Sequence, residues 1–226
     1  MMKKVLIIAA HPDDEVLGCG GTVARLVREG AEVHTLILGQ GITGRGGSED
    51  ADQTKKALAR LVEDAKQAND ALGVAQVYFK SIIDNRFDTL PLLDIVKIIE
   101  GVKNKIRPDT VFTHYAGDLN IDHQITYKAV ITATRPVREE SVKRLYSFEV
   151  LSSTEWNYPL SFSPDVFVDI SRTIELKCQA LCKYHSELRN FPHPRSVEAV
   201  QANAKIWGAK AGLQSAEAFK CVRVIM

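Results

Sequence analysis

The sequence predicts an α/β protein: a single domain with a Rossmann-like, doubly wound, mostly parallel sheet and helices on both faces. Three observations predict it. Strand-like and helix-like segments alternate through the first two thirds of the chain, the rhythm that βαβ units produce. The strand candidates are continuous short apolar runs, such as VLIIAA at 5–10, which fit strands covered on both faces. Polar or glycine-rich loops follow them at their carboxyl ends.

In order, Lys4 to Ala10 reads as the first strand and Gly18 to Glu29 as a helix. Glu32 to Leu38 is a second strand, GQGITGRGGSED a loop, and Asp50 to Leu72 a long amphipathic helix. AQVYFK is the third strand, followed by the loop SIIDNRFDTL and a helix from Pro91 to Ile106. DTVFTH, ending at His114, is the fourth strand, YAGDLNID a loop, and His123 to Thr134 a helix. After Pro136 the pattern loosens. VKRLYSFEV, DVFVDI and AFKCVRVI read as strands, and Ser171 to Tyr184 and Ser196 to Ala211 as helices. No repeat or long linker divides the chain, so residues 1–226 are expected to form one unit: a core over 1–135 with an extension, 136–226, packed on it.

Composition excludes several classes. With 29 basic and 28 acidic residues, no global charge draws the protein to nucleic acid or an anionic membrane. No segment approaches the roughly 20 apolar residues that cross a bilayer, and the apolar run after Met-Met-Lys-Lys leads into HPDDE rather than a signal-peptide cleavage site. Four cysteines without paired spacing do not make a disulfide framework. A cytoplasmic location is expected, with a homo-oligomer left open.

HPDDE (11–15) places three carboxylates at the end of a buried strand. Crowded anions there repel one another unless a cation holds them. In the strand order 3-2-1-4-5, strands 1 and 4 are neighbours whose connections leave in opposite directions, opening a crevice at their carboxyl ends. HPDDE follows strand 1 and NIDH (120–123) follows strand 4, so the two converge. His11 and Asp14, three apart on a turn, can reach one ion, with His123 as third ligand from across the crevice. Two histidines and a carboxylate with an open position make a catalytic zinc arrangement, although such a set also accepts Fe²⁺ or another divalent metal. Asp13 is then placed to act as general base on zinc-bound water. Asp122 either orients an imidazole or caps the helix after it, and Glu15 is expected to support the loop through backbone amides.

AHPDDEVLGCGGT, with an Asp-His pair after the fourth strand and the tail YHSELRNFPHPRSVEAVQANAKIWGAKAGLQSAEAF, resembles the PIG-L (LmbE-like) family of metal-dependent de-N-acetylases over the whole chain. The resemblance implies His11, Asp14 and His123 on zinc and Asp13 as base, in agreement with the spacing. It also implies a substrate that is a small N-acetylated sugar or glycoconjugate. One position departs: many members have HPDH where this chain has NIDH, so Asn120 stands in place of a histidine thought to assist the oxyanion. An amide still donates a hydrogen bond but carries no proton charge, and Asn120 is retained as a candidate catalytic residue. His114 is a conceivable substitute for the missing imidazole.

Gly18, Gly20 and Gly21 fit tight helix-to-strand packing better than a dinucleotide loop, since HPDDE opposes a pyrophosphate and G-x-G-x-x-G is absent. Arg45, Asp84, Asn85 and Arg195 are expected as substrate contacts, and the aromatic loop holding Trp156, Tyr158 and Phe162 offers either a stacking face or core packing. The expected activity is hydrolysis of an acetamide on an amino sugar. The alternatives are hydrolysis of another small-molecule amide and a non-catalytic Rossmann-like binding protein.

Overall fold

A computed structural model describes residues 2–42 and 51–226. Its elements, in chain order, are β1 (Lys4–Ala9), α1 (Asp14–Arg28), β2 (Glu32–Gly39), α2 (Ala51–Leu72), β3 (Gln76–Ile82), α3 (Leu92–Ile106), β4 (Thr110–His114), α4 (Ile121–Ala133), β5 (Arg144–Phe148), β6 (Val166–Asp169), α5 (Ile174–Leu181), α6 (Val197–Ala211) and β7 (Ala216–Val224). Seven strands form one sheet in the order β3-β2-β1-β4-β5-β7-β6. The first five are parallel, and β7 runs antiparallel to both β5 and β6. The β3-β2-β1-β4-β5 half is the expected doubly wound order.

The buried strand β1 shows why the sheet is covered twice. Successive side chains point to opposite faces. Val5, Ile7 and Ala9 join residues of α1, α2 and α5 in one core, whereas Leu6, Ile8 and Ala10 join residues of α3 and α4 in the other. All six are fully buried, so an uninterrupted apolar run is what this position in the sheet demands.

Three helices differ from the sequence expectation by more than one residue at an end. α1 begins at Asp14, not Gly18, because Asp13 adopts a left-handed backbone (φ 95°) that turns the chain from β1 straight into the helix. Asp14 and Glu15 therefore occupy the first turn, where unpaired N–H groups and the helix dipole favour anions. α4 begins at Ile121, not His123, because the Asn120 side chain accepts a hydrogen bond from the Asp122 N–H and caps it. α5 spans only Ile174–Leu181 within the expected Ser171 to Tyr184, and the residues after it continue in turns. Arg45 lies outside the described residues.

The glycines after HPDDE are inside α1 and set how closely it packs. A Cβ on Gly18 would sit 2.3 Å from the Phe148 ring on β5, and one on Gly21 would sit 2.8 Å from Ile170. α1 is also broken at Cys19 (φ −149°, ψ 18°). There Glu217 of β7 accepts from the Gly21 and Thr22 N–H groups (3.0 and 2.6 Å), while Lys177 of α5 donates to Glu217 and to the Leu17 carbonyl (2.6 and 2.7 Å). A buried ion pair thus satisfies the backbone groups that the break exposes.

Gly18→Ala should lower stability by about 1–3 kcal/mol through overpacking against Phe148. Gly101→Ala, in the interior of α3 with nothing within 4 Å of the added Cβ, should raise it by about 0.5–1 kcal/mol. Urea denaturation of both variants checks the contrast, and equal effects would contradict the packing role of Gly18.

Candidate active site

The carboxyl ends of β1 and β4 bring together residues more than a hundred positions apart. β1 delivers His11 through Glu15, β4 ends at His114, and the first turn of α4 delivers Asp122 and His123. One ligand atom each from His11, Asp14 and His123 lies within 4.8 Å of the others. The separations are tighter than that: His11 Nδ1 to Asp14 Oδ2 is 3.4 Å, His123 Nε2 to Asp14 Oδ2 3.3 Å, and His123 Nε2 to His11 Nδ1 3.3 Å.

This triangle can be tested against a metal by geometry alone. A near-equilateral face with those edges belongs to a tetrahedron whose centre lies about 2.0 to 2.1 Å from each corner, the length of zinc–nitrogen and zinc–oxygen bonds. The electrostatics agree. Asp14 is fully buried, and its Oδ1 has no hydrogen-bond partner among the described residues. Burial opposes its charge, yet the His123 and His11 imidazoles hold it well below the usual carboxylate range. Burial likewise opposes charge on His11, but Asp122 and Asp14 outweigh it and raise the ring to about 10. His123 behaves alike, raised to about 9 by Asp14 and Asp118 against burial. The surrounding carboxylates thus demand positive charge at the triangle, which protons supply in the protein alone and a divalent ion would supply on displacing them.

Each imidazole is backed by a second carboxylate. His11 Nε2 donates to Asp122 Oδ2 at 2.9 Å, which turns Nδ1 towards the triangle, where an ion would take its lone pair on displacing the proton. Asp122 also accepts from the Asn85 and Phe87 N–H groups (2.6 and 3.1 Å). Its side chain therefore orients His11, and Asn120 caps the helix. On the other side, His123 Nδ1 lies 3.1 Å from Asp118 Oδ1. Asp118 is held by Ser153 Oγ, Thr154 Oγ1 and the Asn120 N–H. Sequence reasoning missed Asp118, because an aspartate in a polar loop carries no local signal of the histidine it will face.

His114 does not replace the family's missing imidazole. Its Nε2 accepts the Ala10 N–H at 2.8 Å, its ring is fully buried, and it stacks on His123 with centroids 4.0 Å apart. Burial and the neighbouring His123 push it down to about 3. With its Nε2 lone pair used on the Ala10 N–H, the buried ring supports His123 from behind and does not line the cleft.

The cleft above the triangle is lined by His11, Pro12, Asp13, Gly41, Asp84, Asn85, Asn120, Glu187 and Arg195. Asp13 is 1% exposed. Burial raises its carboxyl to about 8, although the Arg195 guanidinium, 3.0 Å from Oδ2, pulls it down. Asp84 Oδ1 accepts the Gly41 N–H at 2.7 Å, and Asn85 takes a left-handed backbone (φ 53°) at the rim. Arg195 turns inward: besides Asp13, its Nη1 reaches Glu187 Oε2 at 3.0 Å and its Nε reaches Ser152 Oγ at 2.7 Å. Glu15 faces away from the triangle, accepting from Tyr184 Oη, Asn69 Nδ2 and the Asp13 N–H.

Comparison with known proteins gives these residues a context. Residues 6–134 match the PIG-L family, described as GlcNAc-PI de-N-acetylase. The chain is 30% identical over 190 residues to the uncharacterized deacetylase YaiS of Escherichia coli strain K12, covering 81% of this chain and 91% of that protein. It is 28% identical over 230 residues to diacetylchitobiose deacetylase of Thermococcus kodakarensis, covering 98% and 84%. GalB, the 4-carboxy-2-hydroxymuconate hydratase of Pseudomonas putida KT2440, shares the fold with a TM-score of 0.75 at 21% identity, covering 100% of this chain and 98% of that one. An architecture found under a second activity does not by itself fix the reaction. The family match, which spans more than half of the chain and includes both HPDDE and NIDH, does assign the lineage: this chain belongs to the PIG-L family.

Proposed function

We propose that the protein is a divalent-metal-dependent hydrolase that removes an N-acetyl group from an amino sugar or its conjugate. The observation that carries the proposal is the triangle of His11 Nδ1, Asp14 Oδ2 and His123 Nε2, with edges of 3.3–3.4 Å, which His11 joins to a cleft that Asp13 also lines. The family and the diacetylchitobiose deacetylase relative support the substrate class. Zinc is the metal we assign, on the tetrahedral fit and the two-imidazole, one-carboxylate donor set; Fe²⁺ satisfies the same donors.

When bound, the ion supplies Lewis acidity towards a carbonyl oxygen and lowers the pKa of a water molecule to about 7. The residues of the chain do the rest. Asp13 takes the proton of the attacking water and delivers it to the departing amine nitrogen, one carboxylate serving as base and then as acid. Asn120 spends Oδ1 on capping α4, which fixes its amide and leaves Nδ2 to donate to the developing oxyanion. Asp122 and Asp118 keep the two imidazoles oriented. Asp84 and Asn85, at the rim, are assigned to sugar hydroxyls. Arg45, outside the described residues, is assigned with them as a substrate contact.

The discriminating experiment joins metal analysis to acetate release across N-acetylhexosamines and their conjugates. The expected result is about one divalent ion per chain and acetate release that a chelator abolishes and zinc restores. Absence of acetate from every N-acetylated sugar, with release of another product from a small-molecule amide, would move the activity to the alternative reading.

Two variants separate holding the ion from moving the proton. Asp14→Asn should lose metal. Asp13→Asn should keep metal while kcat falls by roughly 10² to 10⁴, the range for lost general acid–base catalysis. Loss of metal in both, measured by plasma emission on purified protein, would contradict the division of roles.

A further inference from the structure

We propose that Arg195 is a positioning residue for Asp13: it anchors Oδ2, so that Oδ1 is the oxygen that exchanges the proton. The inference rests on the reading of Asp13 as the base, and it replaces substrate contact as the role of Arg195.

Asp13 needs an external anchor. As the residue before α1 it takes a left-handed backbone, and its side chain makes no capping hydrogen bond to the helix, so local structure leaves its carboxylate orientation open. Arg195 reaches it from 182 positions away, in the turn before α6. The guanidinium is itself held from several directions. Both Nη1 hydrogens are used, one on Asp13 Oδ2 and one on Glu187 Oε2, each at 3.0 Å, and Nε–H is used on Ser152 Oγ. The Arg195 N–H donates to His193 Nδ1 at 3.1 Å, which fixes the main chain as well. A planar group pinned along two edges fixes the carboxylate bonded to it.

Geometry argues against substrate binding as the main role. Glu187 and Asp13 are 3% and 1% exposed, and both touch the same Nη1. With Nε on Ser152 as well, the Nη1 and Nε hydrogens are committed within the protein and are not presented to a ligand.

The test uses Arg195→Ala and Arg195→Lys in the full chain. For Arg195→Ala, kcat for acetate release should fall about 10²-fold, the penalty of a misplaced catalytic group. KM should stay within about threefold, and the metal content should be unchanged. Millimolar ethylguanidinium should restore part of the lost kcat. Lysine keeps the charge but not the fork, so Arg195→Lys should lie between wild type and alanine; should the alanine variant fail to fold, the same kcat and KM comparison on lysine decides. Crystals of the metal-free variant give a readout independent of activity: the Asp13 carboxylate should leave its wild-type position. A raised KM with unchanged kcat would make Arg195 a substrate contact and overturn the proposal, as would an unmoved carboxylate with unchanged kcat. If wild type itself releases no acetate, the proposed function fails, and the Asp13 position in the variant still decides the role of Arg195.

Discussion

Everything at the carboxyl end of β1 follows from one constraint: three consecutive carboxylates, Asp13, Asp14 and Glu15, are each no more than 1% exposed. Buried anions are tolerated only when paired or hydrogen-bonded, and here each is compensated differently. Asp14 faces two imidazoles, Asp13 faces a guanidinium, and Glu15 collects a phenol, an amide and a backbone N–H. The three side chains leave one turn in three directions, and each direction draws in a different part of the chain. Of the three, Asp14 alone keeps an oxygen, Oδ1, without a partner among the described residues, while its Oδ2 is the corner of the triangle it shares with His11 and His123.

The fold supplies these partners through its topology. Reversal of the strand order between β1 and β4 brings the start of α4, with His123 and Asp122, to the HPDDE turn. The later segments close the site from the other side. Ser153 and Thr154 hold Asp118 behind His123, Tyr184 holds Glu15, and Arg195 holds Asp13. Residues beyond the family match at 6–134 therefore hold the site's acidic groups in place as well as extending the sheet. Glycine at 18 and 21 lets α1 lie close enough to β5 and Ile170 for its first turn to sit over the strand ends.

Much of this was legible in the sequence, for physical reasons. A continuous apolar run marks a doubly covered strand, and the alternation of strand and helix leaves few topologies once right-handed crossovers are required. The order β3-β2-β1-β4-β5 is a common one among them, and the structure has it, so HPDDE and NIDH meet. What escaped has two causes. Asp13 adopts a left-handed backbone that nothing local announces, so α1 began four residues earlier than its glycines suggested. The partners of buried charges are chosen by tertiary approach: Asp122, left open between orienting an imidazole and capping its helix, turns to His11, Asp118 lies behind His123, and Arg195 meets Asp13 across 182 positions. Such pairings have no periodicity to read.

The central claim, that buried carboxylates and imidazoles at the β1–β4 crevice form a single metal site, is tested most directly by anomalous diffraction from crystals grown with zinc. The account predicts one peak about 2.0 to 2.2 Å from His11 Nδ1, an oxygen of Asp14 and His123 Nε2. A crevice without a peak, its imidazoles still paired to Asp14 while zinc occupies other residues, would contradict it.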